Sequence, residues 1–234
     1  LQDFSAPVAL SKEGIKNVIE GFVLAAQNAI EAGFDGVEIH GANGYLLEQF
    51  LNPHVNNRED EYGGSMENRS RFTIEVVNAV ADAIGKEKVG IRFSPFSKLG
   101  DLADYGEEET HNTYAYLSKE LDELQIAYVH VAVNAPIPAK TFEAIRDNFS
   151  GTIILANGLT PETGEQALHK GFADLVAFGR SFLSNPDFIE RILTNAALNP
   201  VDYSSLYTPG SRGYTDYPAF NSSKQLKSAS KKVA

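Results

Sequence analysis

The chain has 234 residues, 43% of them hydrophobic, no cysteine, and a formal net charge of −11 from 20 basic and 31 acidic side chains. These values exclude disulfides, thiolate metal sites and a thiol nucleophile, and the negative field disfavours nonspecific binding to nucleic acid or an anionic membrane. No apolar run is long enough to cross a bilayer, and the opening LQDFSAPVAL lacks the basic start and long apolar stretch of a secretory signal, so a cytoplasmic protein is expected.

Helical spacing first appears after Ser11, a capping residue, with Ile15, Val18, Ile19, Phe22, Val23, Ala26 and Ile30 on one face and Gly33 at the end. A short strand over 36–40 runs directly into HGANGYLLEQF, and polar loop text over 52–68 follows, with Gly63-Gly64 in its middle. A second helix fits 69–84. The pattern then repeats: strand 89–93, helix 113–124, strand 128–133, helix 141–149, strand 152–156, helix 161–170, strand 175–178 and helix 185–193. From about 199 the text is irregular and tyrosine-rich, and 222–234 reads as a flexible basic tail on what is otherwise a single domain over 1–234.

Strands that alternate with amphipathic helices predict parallel βαβ units with right-handed crossovers. Short apolar strands suit a (β/α)8 TIM barrel better than an open doubly wound sheet, although the pattern alone does not decide between these α/β folds. Only about five strands are legible, so a closed barrel of eight needs strands beyond those in this text.

His40, Asn43 and Tyr45 follow the first strand's carboxyl end, which is where α/β barrels carry their chemistry. A histidine and an asparagine three apart, on a turn with Gly41 and Gly44, can aim two neutral donors at one oxygen. Two such donors stabilise the enolate formed when hydride adds to the β-carbon of a conjugated ketone. Tyr45 can serve as the general acid for the α-carbon. The plainer alternative is a polar loop capping a helix, with His40 satisfied by backbone. Arg92 ends the next strand, where a fixed cation could stand beside a ring that becomes anionic on reduction, or could form an ordinary ion pair at the barrel mouth. Asn157-Gly158 and Gly179-Arg180 follow two consecutive later strands. The loops after the last two strands of this fold often bind phosphate, glycine admits close backbone approach, and arginine grips an anion bidentately. Asn-Gly on its own is commonly just a turn. His54, His111, His130 and His169 have no metal-ligand spacing, and Glu107-Glu108-Glu109 reads as a solvated run.

The segment EIHGANGYLLEQFLNPHVNNREDEYGGSMENRSRF resembles the central signature of the Old Yellow Enzyme family of FMN-dependent ene-reductases, and the resemblance continues through VGIRFSPF, ILANGL, LVAFGRSFLSNPDF and GYTDYPAF. It implies an NADPH dehydrogenase or ene-reductase with FMN as cofactor, NAD(P)H as electron donor, and a small enone or nitro compound as substrate. By resemblance His40 and Asn43 bind the substrate oxygen, Tyr45 donates the proton, and Arg92 lies at the flavin's pyrimidine edge. Asn157, Gly158, Gly179 and Arg180 hold the FMN phosphate, although many relatives read Gly-Asn where this chain has Asn-Gly. Tyr207 matches a tyrosine lining the substrate pocket. Family members carry three earlier strands, which supply a threonine near the reactive edge of the flavin and a glutamine on its pyrimidine side. The chain is therefore expected to be a truncated product, part of a longer protein, one partner of an N-terminal barrel fragment, or a half-barrel that closes by homo-oligomerising. A non-catalytic fragment that binds no flavin, and a flavin-independent phosphate-binding barrel enzyme, are the competing readings. The last would need a lysine or carboxylate base at a strand end.

Overall fold

The computed structural model describes residues 7–220, so the tail expected over 222–234 lies outside the described residues. They form two compact units: residues up to 158 with 164–176, and residues 159–163 with 177 onward.

In the first unit α1 (Lys12–Glu31) starts where the sequence places it, with the Ser11 hydroxyl oxygen accepting the Gly14 N–H at 3.0 Å. Strand β1 (Val37–Gly41) then leads through a tight turn into α2 (Leu46–Leu51), a helix to which the sequence reading gives no bounds. Helix α3 (Met66–Ile84) begins earlier than expected because Ser65 caps it, accepting the Asn68 N–H. Strand β2 (Val89–Phe93), helix α4 (Glu107–Leu124), strand β3 (Tyr128–Ala132), helix α5 (Ala139–Asn148), strand β4 (Thr152–Ala156), helix α6 (Pro161–His169) and strand β5 (Leu175–Ala177) follow.

The five strands lie in the order β1-β2-β3-β4-β5. The β1–β2, β2–β3 and β3–β4 pairs are parallel. Consecutive strands that are also neighbours, each pair joined across a helix, are the winding of a (β/α)8 barrel taken part of the way round. The expected partial barrel is thus the observed fold. Among the described residues the sheet is open, with β1 and β5 at its edges.

Alternation along the strands divides the sheet into two faces. Ile39, Val89, Ile91, Phe93, Val129, Val131, Ile153 and Leu155 are all buried. They share one face, where Phe72, Val76 and Val77 of α3, Leu117 and Leu121 of α4 and Ile145 of α5 complete the apolar core. The opposite face carries Glu38, His40, Arg92, Tyr128, His130 and Thr152, a polar layer.

The glutamate run expected to be solvated lies at the surface, with Glu107 and Glu108 exposed. Glu107, Glu108 and Glu109 make the first turn of α4, where negative charge suits the helix dipole, and Glu109 pairs with buried Arg69. Arg69 Nε also donates to Leu51 O at 2.9 Å, tying the end of α2 to α3.

In the second unit the helix expected over 185–193 is α8 (Phe188–Leu193), which starts later than expected, and a short α7 (Arg180–Ser184) that the sequence reading does not assign precedes it. Asn185 and Pro186 interrupt them: the Asn185 amide donates to Ser181 O, and its oxygen accepts the Asn199 N–H at 2.7 Å. Arg191 is buried and bonded to Asp187, Ala197 O and Pro218 O, which pins the irregular segment to α8.

Candidate functional site

The turn after β1 is built to be rigid. Asn43 and Gly44 both adopt left-handed backbone, at φ 61° and 78°. A side chain at Gly44 would meet Leu99 O at 2.1 Å, so only glycine fits. Asn43 tolerates this conformation better than most residues. Its N–H donates to Ser94 Oγ at 2.8 Å, and the Ser94 hydroxyl donates in turn to the Glu48 carboxylate. Glu48 also accepts the Gly44 N–H at 2.6 Å and the Tyr114 hydroxyl at 3.2 Å. It is 5% exposed, and burial pushes its carboxyl up to about 7 against the opposing hydrogen bonds.

This turn brings three of the expected site residues together. The His40 and Tyr45 rings lie 5.3 Å apart, with Asn43 between them in the chain. Tyr45 is 62% exposed. Register places Arg92 directly beside His40 on β2, and His130 beside Arg92 on β3. Burial lowers the His40 pKa and the Arg92 charge lowers it further, with Glu38 opposing, so the ring is held neutral as a donor. Arg92 Nε is buried and without a hydrogen-bond partner. An orphaned guanidinium N–H at a strand mouth is costly unless an acceptor meets it. His130 Nδ1 and Glu38 Oε2 are 2.8 Å apart, giving one of the other histidines a carboxylate partner.

Asn157 and Gly158 follow β4 in consecutive left-handed conformations, at φ 72° and 66°. The Asn157 amide donates to Asn134 Oδ1, and Asn134 Nδ2 donates to Asn43 Oδ1 at 2.5 Å. One expected cofactor residue is therefore wired to one expected substrate residue through a side chain the sequence reading does not name. Asn134 stands in no motif, and Ser94 stands inside VGIRFSPF, where nothing marks its bond to the distant turn. Glu48 stands inside the quoted signature, where its burial is invisible.

The remaining expected residues belong to the second unit. Gly179 precedes α7, and nothing lies within 4 Å of where a Cβ would be. The Arg180 guanidinium carbon stands 5.9 Å from the Tyr203 ring centre. Tyr207 is 92% exposed.

A family model described as the NADH:flavin oxidoreductase / NADH oxidase family matches residues 2–199. The chain is 46% identical over 227 residues to 12-oxophytodienoate reductase 2 of Arabidopsis thaliana, covering 94% of this chain and 60% of that protein. A solved structure of morphinone reductase in complex with tetrahydroNAD superposes with a TM-score of 0.89 at 42% identity, over 95% of this chain and 60% of the other. The chain thus spans about three fifths of the length of these relatives.

Proposed function

The chain belongs to the NADH:flavin oxidoreductase / NADH oxidase family, and from that membership we propose that it supplies the substrate side of an FMN-dependent ene-reductase. Its substrates would be small α,β-unsaturated carbonyl or nitro compounds, with NAD(P)H as electron donor. One observation carries this reading: His40, Asn43 and Tyr45 gather beside Arg92 at a single strand mouth. The residues fit the cofactor, since the orphaned N–H of Arg92 needs an acceptor such as a flavin ring offers. Arg92 would hold that ring, and Asn157, Gly158, Gly179 and Arg180 would hold its phosphate. FMN, when bound, would supply the hydride-transfer chemistry that links oxidation of NAD(P)H to reduction of the substrate β-carbon.

The chain's own residues do the rest. Neutral His40 and the Asn43 amide donate to the substrate oxygen and stabilise the negative charge that develops there. Because His40 is uncharged, it polarises that oxygen without giving up a proton. Tyr45 transfers its hydroxyl proton to the α-carbon, which completes saturation of the bond. Its exposure lets water restore the proton afterwards. Tyr207 would line the wall of the pocket.

The test is spectroscopic and kinetic. The protein purified with FMN should retain visible flavin absorbance and oxidise NADPH in the presence of cyclohexenone. Protein that stays colourless and inert favours the flavin-free fragment as the correct reading. We further propose that the free edge of β1 is covered in the working protein, by an N-terminal barrel fragment or by a second copy. A mostly apolar groove of about 270 Å³ beside that edge, lined by Phe22, Ala25, Ala26, Val80 and the β1 residues 37–40 (Glu38 and His40 among them), supports this.

A further inference from the structure

We propose that Asn134 is a positioning residue that sets which end of the Asn43 amide faces the substrate, a proposal resting on the oxygen-binding role assigned to Asn43 above. A carboxamide has a donor end and an acceptor end, and only the donor end can stabilise a developing oxyanion. A free asparagine side chain turns between the two at little cost. In this protein it is not free to turn.

Three asparagines form a directed relay across the strand mouths. Asn157, after β4, donates its Nδ2 to Asn134 Oδ1, which leaves Asn134 Nδ2 as the group that points onward. That Nδ2 donates to Asn43 Oδ1 at 2.5 Å. With its oxygen engaged, Asn43 must present its NH2 to whatever lies in the mouth. Backbone bonds fix the relay at both ends of the gap. The Asn43 N–H is held by Ser94 Oγ at 2.8 Å. The Asn134 N–H donates to Ala132 O at 3.0 Å, and the Val133 N–H donates to Ala156 O at 2.8 Å, beside Asn157. Asn43 and Asn134 are 91 residues apart, so the pairing exists only in the folded sheet.

Reversing the middle member of the relay provides the test. Asn134→Asp keeps the shape but has no donor. Its carboxylate accepts from Asn157 and from Asn43, turning the Asn43 NH2 away from the substrate. Asn134→Leu merely removes the pin and leaves the Asn43 amide able to turn. Binding of cyclohexenone to the FMN-saturated protein is measured by calorimetry, together with FMN affinity and the thermal midpoint. Cyclohexenone is uncharged, so the added charge reaches it chiefly through Asn43. The expected order is a dissociation constant raised about tenfold or more by Asn134→Asp and only about threefold by Asn134→Leu, with the thermal midpoint nearly unchanged. In an Asn43→Ala background the Asn134→Asp change should have almost no further effect, because the residue it acts through is gone.

The controls separate two kinds of failure. If the protein does not load FMN, or if Asn43→Ala binds cyclohexenone like the wild type, the site reading itself fails and the inference falls with it. If Asn43→Ala weakens binding but Asn134→Asp does not, or weakens it no more than Asn134→Leu, the relay alone is wrong. Equal effects of Asn134→Asp with and without Asn43, or effects that track a fall in thermal midpoint, overturn the relay in the same way.

Discussion

Glu48 shows how the site's support differs from its chemistry. Its carboxyl lies under the turn after β1, accepting from Gly44, Ser94 and Tyr114, and burial pushes it up to about 7 from 4.5. A raised pKa means that the folded state holds the proton more tightly than the unfolded one, so this stability is present in full below about 4.5 and lost as pH rises through about 7. We expect wild-type stability to fall by roughly 2 to 3 kcal/mol relative to Glu48→Gln between pH 5 and pH 8, read from urea unfolding midpoints. A difference between the two that does not change with pH would contradict a raised pKa. At this scale the sequence was legible where chemistry is displayed and silent where it is supported. His40, Asn43 and Tyr45 stand within a few residues of one another in an uncommon string. Asn134 and Ser94 reach the same turn from distant strands, and only the sheet register reveals them.

The helices and strands were legible to the extent that each carries its own periodic signal. The strands Val89–Phe93 and Thr152–Ala156 appear where apolar runs place them, because a strand buried on one face and half-covered on the other reads as a continuous apolar stretch. Helix starts were harder to read. The first turns of α3 and α4 are polar and exposed, and their text looks like loop until Ser65 is seen to cap one and Glu109 to meet Arg69 in the other. The start of α8 falls after 185 because Asn185 lies outside the helix, its oxygen accepting from the distant Asn199. Arg69 belongs to this scale, since it joins α2, α3 and α4 through Leu51 O, Gly64 O and Glu109. Removing it strands the buried Leu51 carbonyl. We predict that Arg69→Ala costs about 3 kcal/mol in urea unfolding, and a loss under about 0.5 kcal/mol would show that the three helices hold without it.

The first unit is part of a barrel wall with an apolar face under the helices and a polar face opposite, and the sheet has two free edges among the described residues. An exposed parallel edge beside a mostly apolar groove is a template for association. Sedimentation velocity of the 234-residue chain alone should therefore show dimers or larger species, and a clean monomer at micromolar concentration would contradict that expectation. The parallel βαβ winding was legible from the strand–helix alternation, which alone did not decide for a barrel, and its openness was legible only as a strand count. The central claim, that the β1 mouth protonates a substrate polarised by His40 and Asn43, is tested most directly by rapid-mixing kinetics on Tyr45→Phe. Flavin reduction by NADPH should stay within about twofold of wild type while reoxidation by cyclohexenone slows about a hundredfold. Equal slowing of both half-reactions, or of neither, would contradict the account.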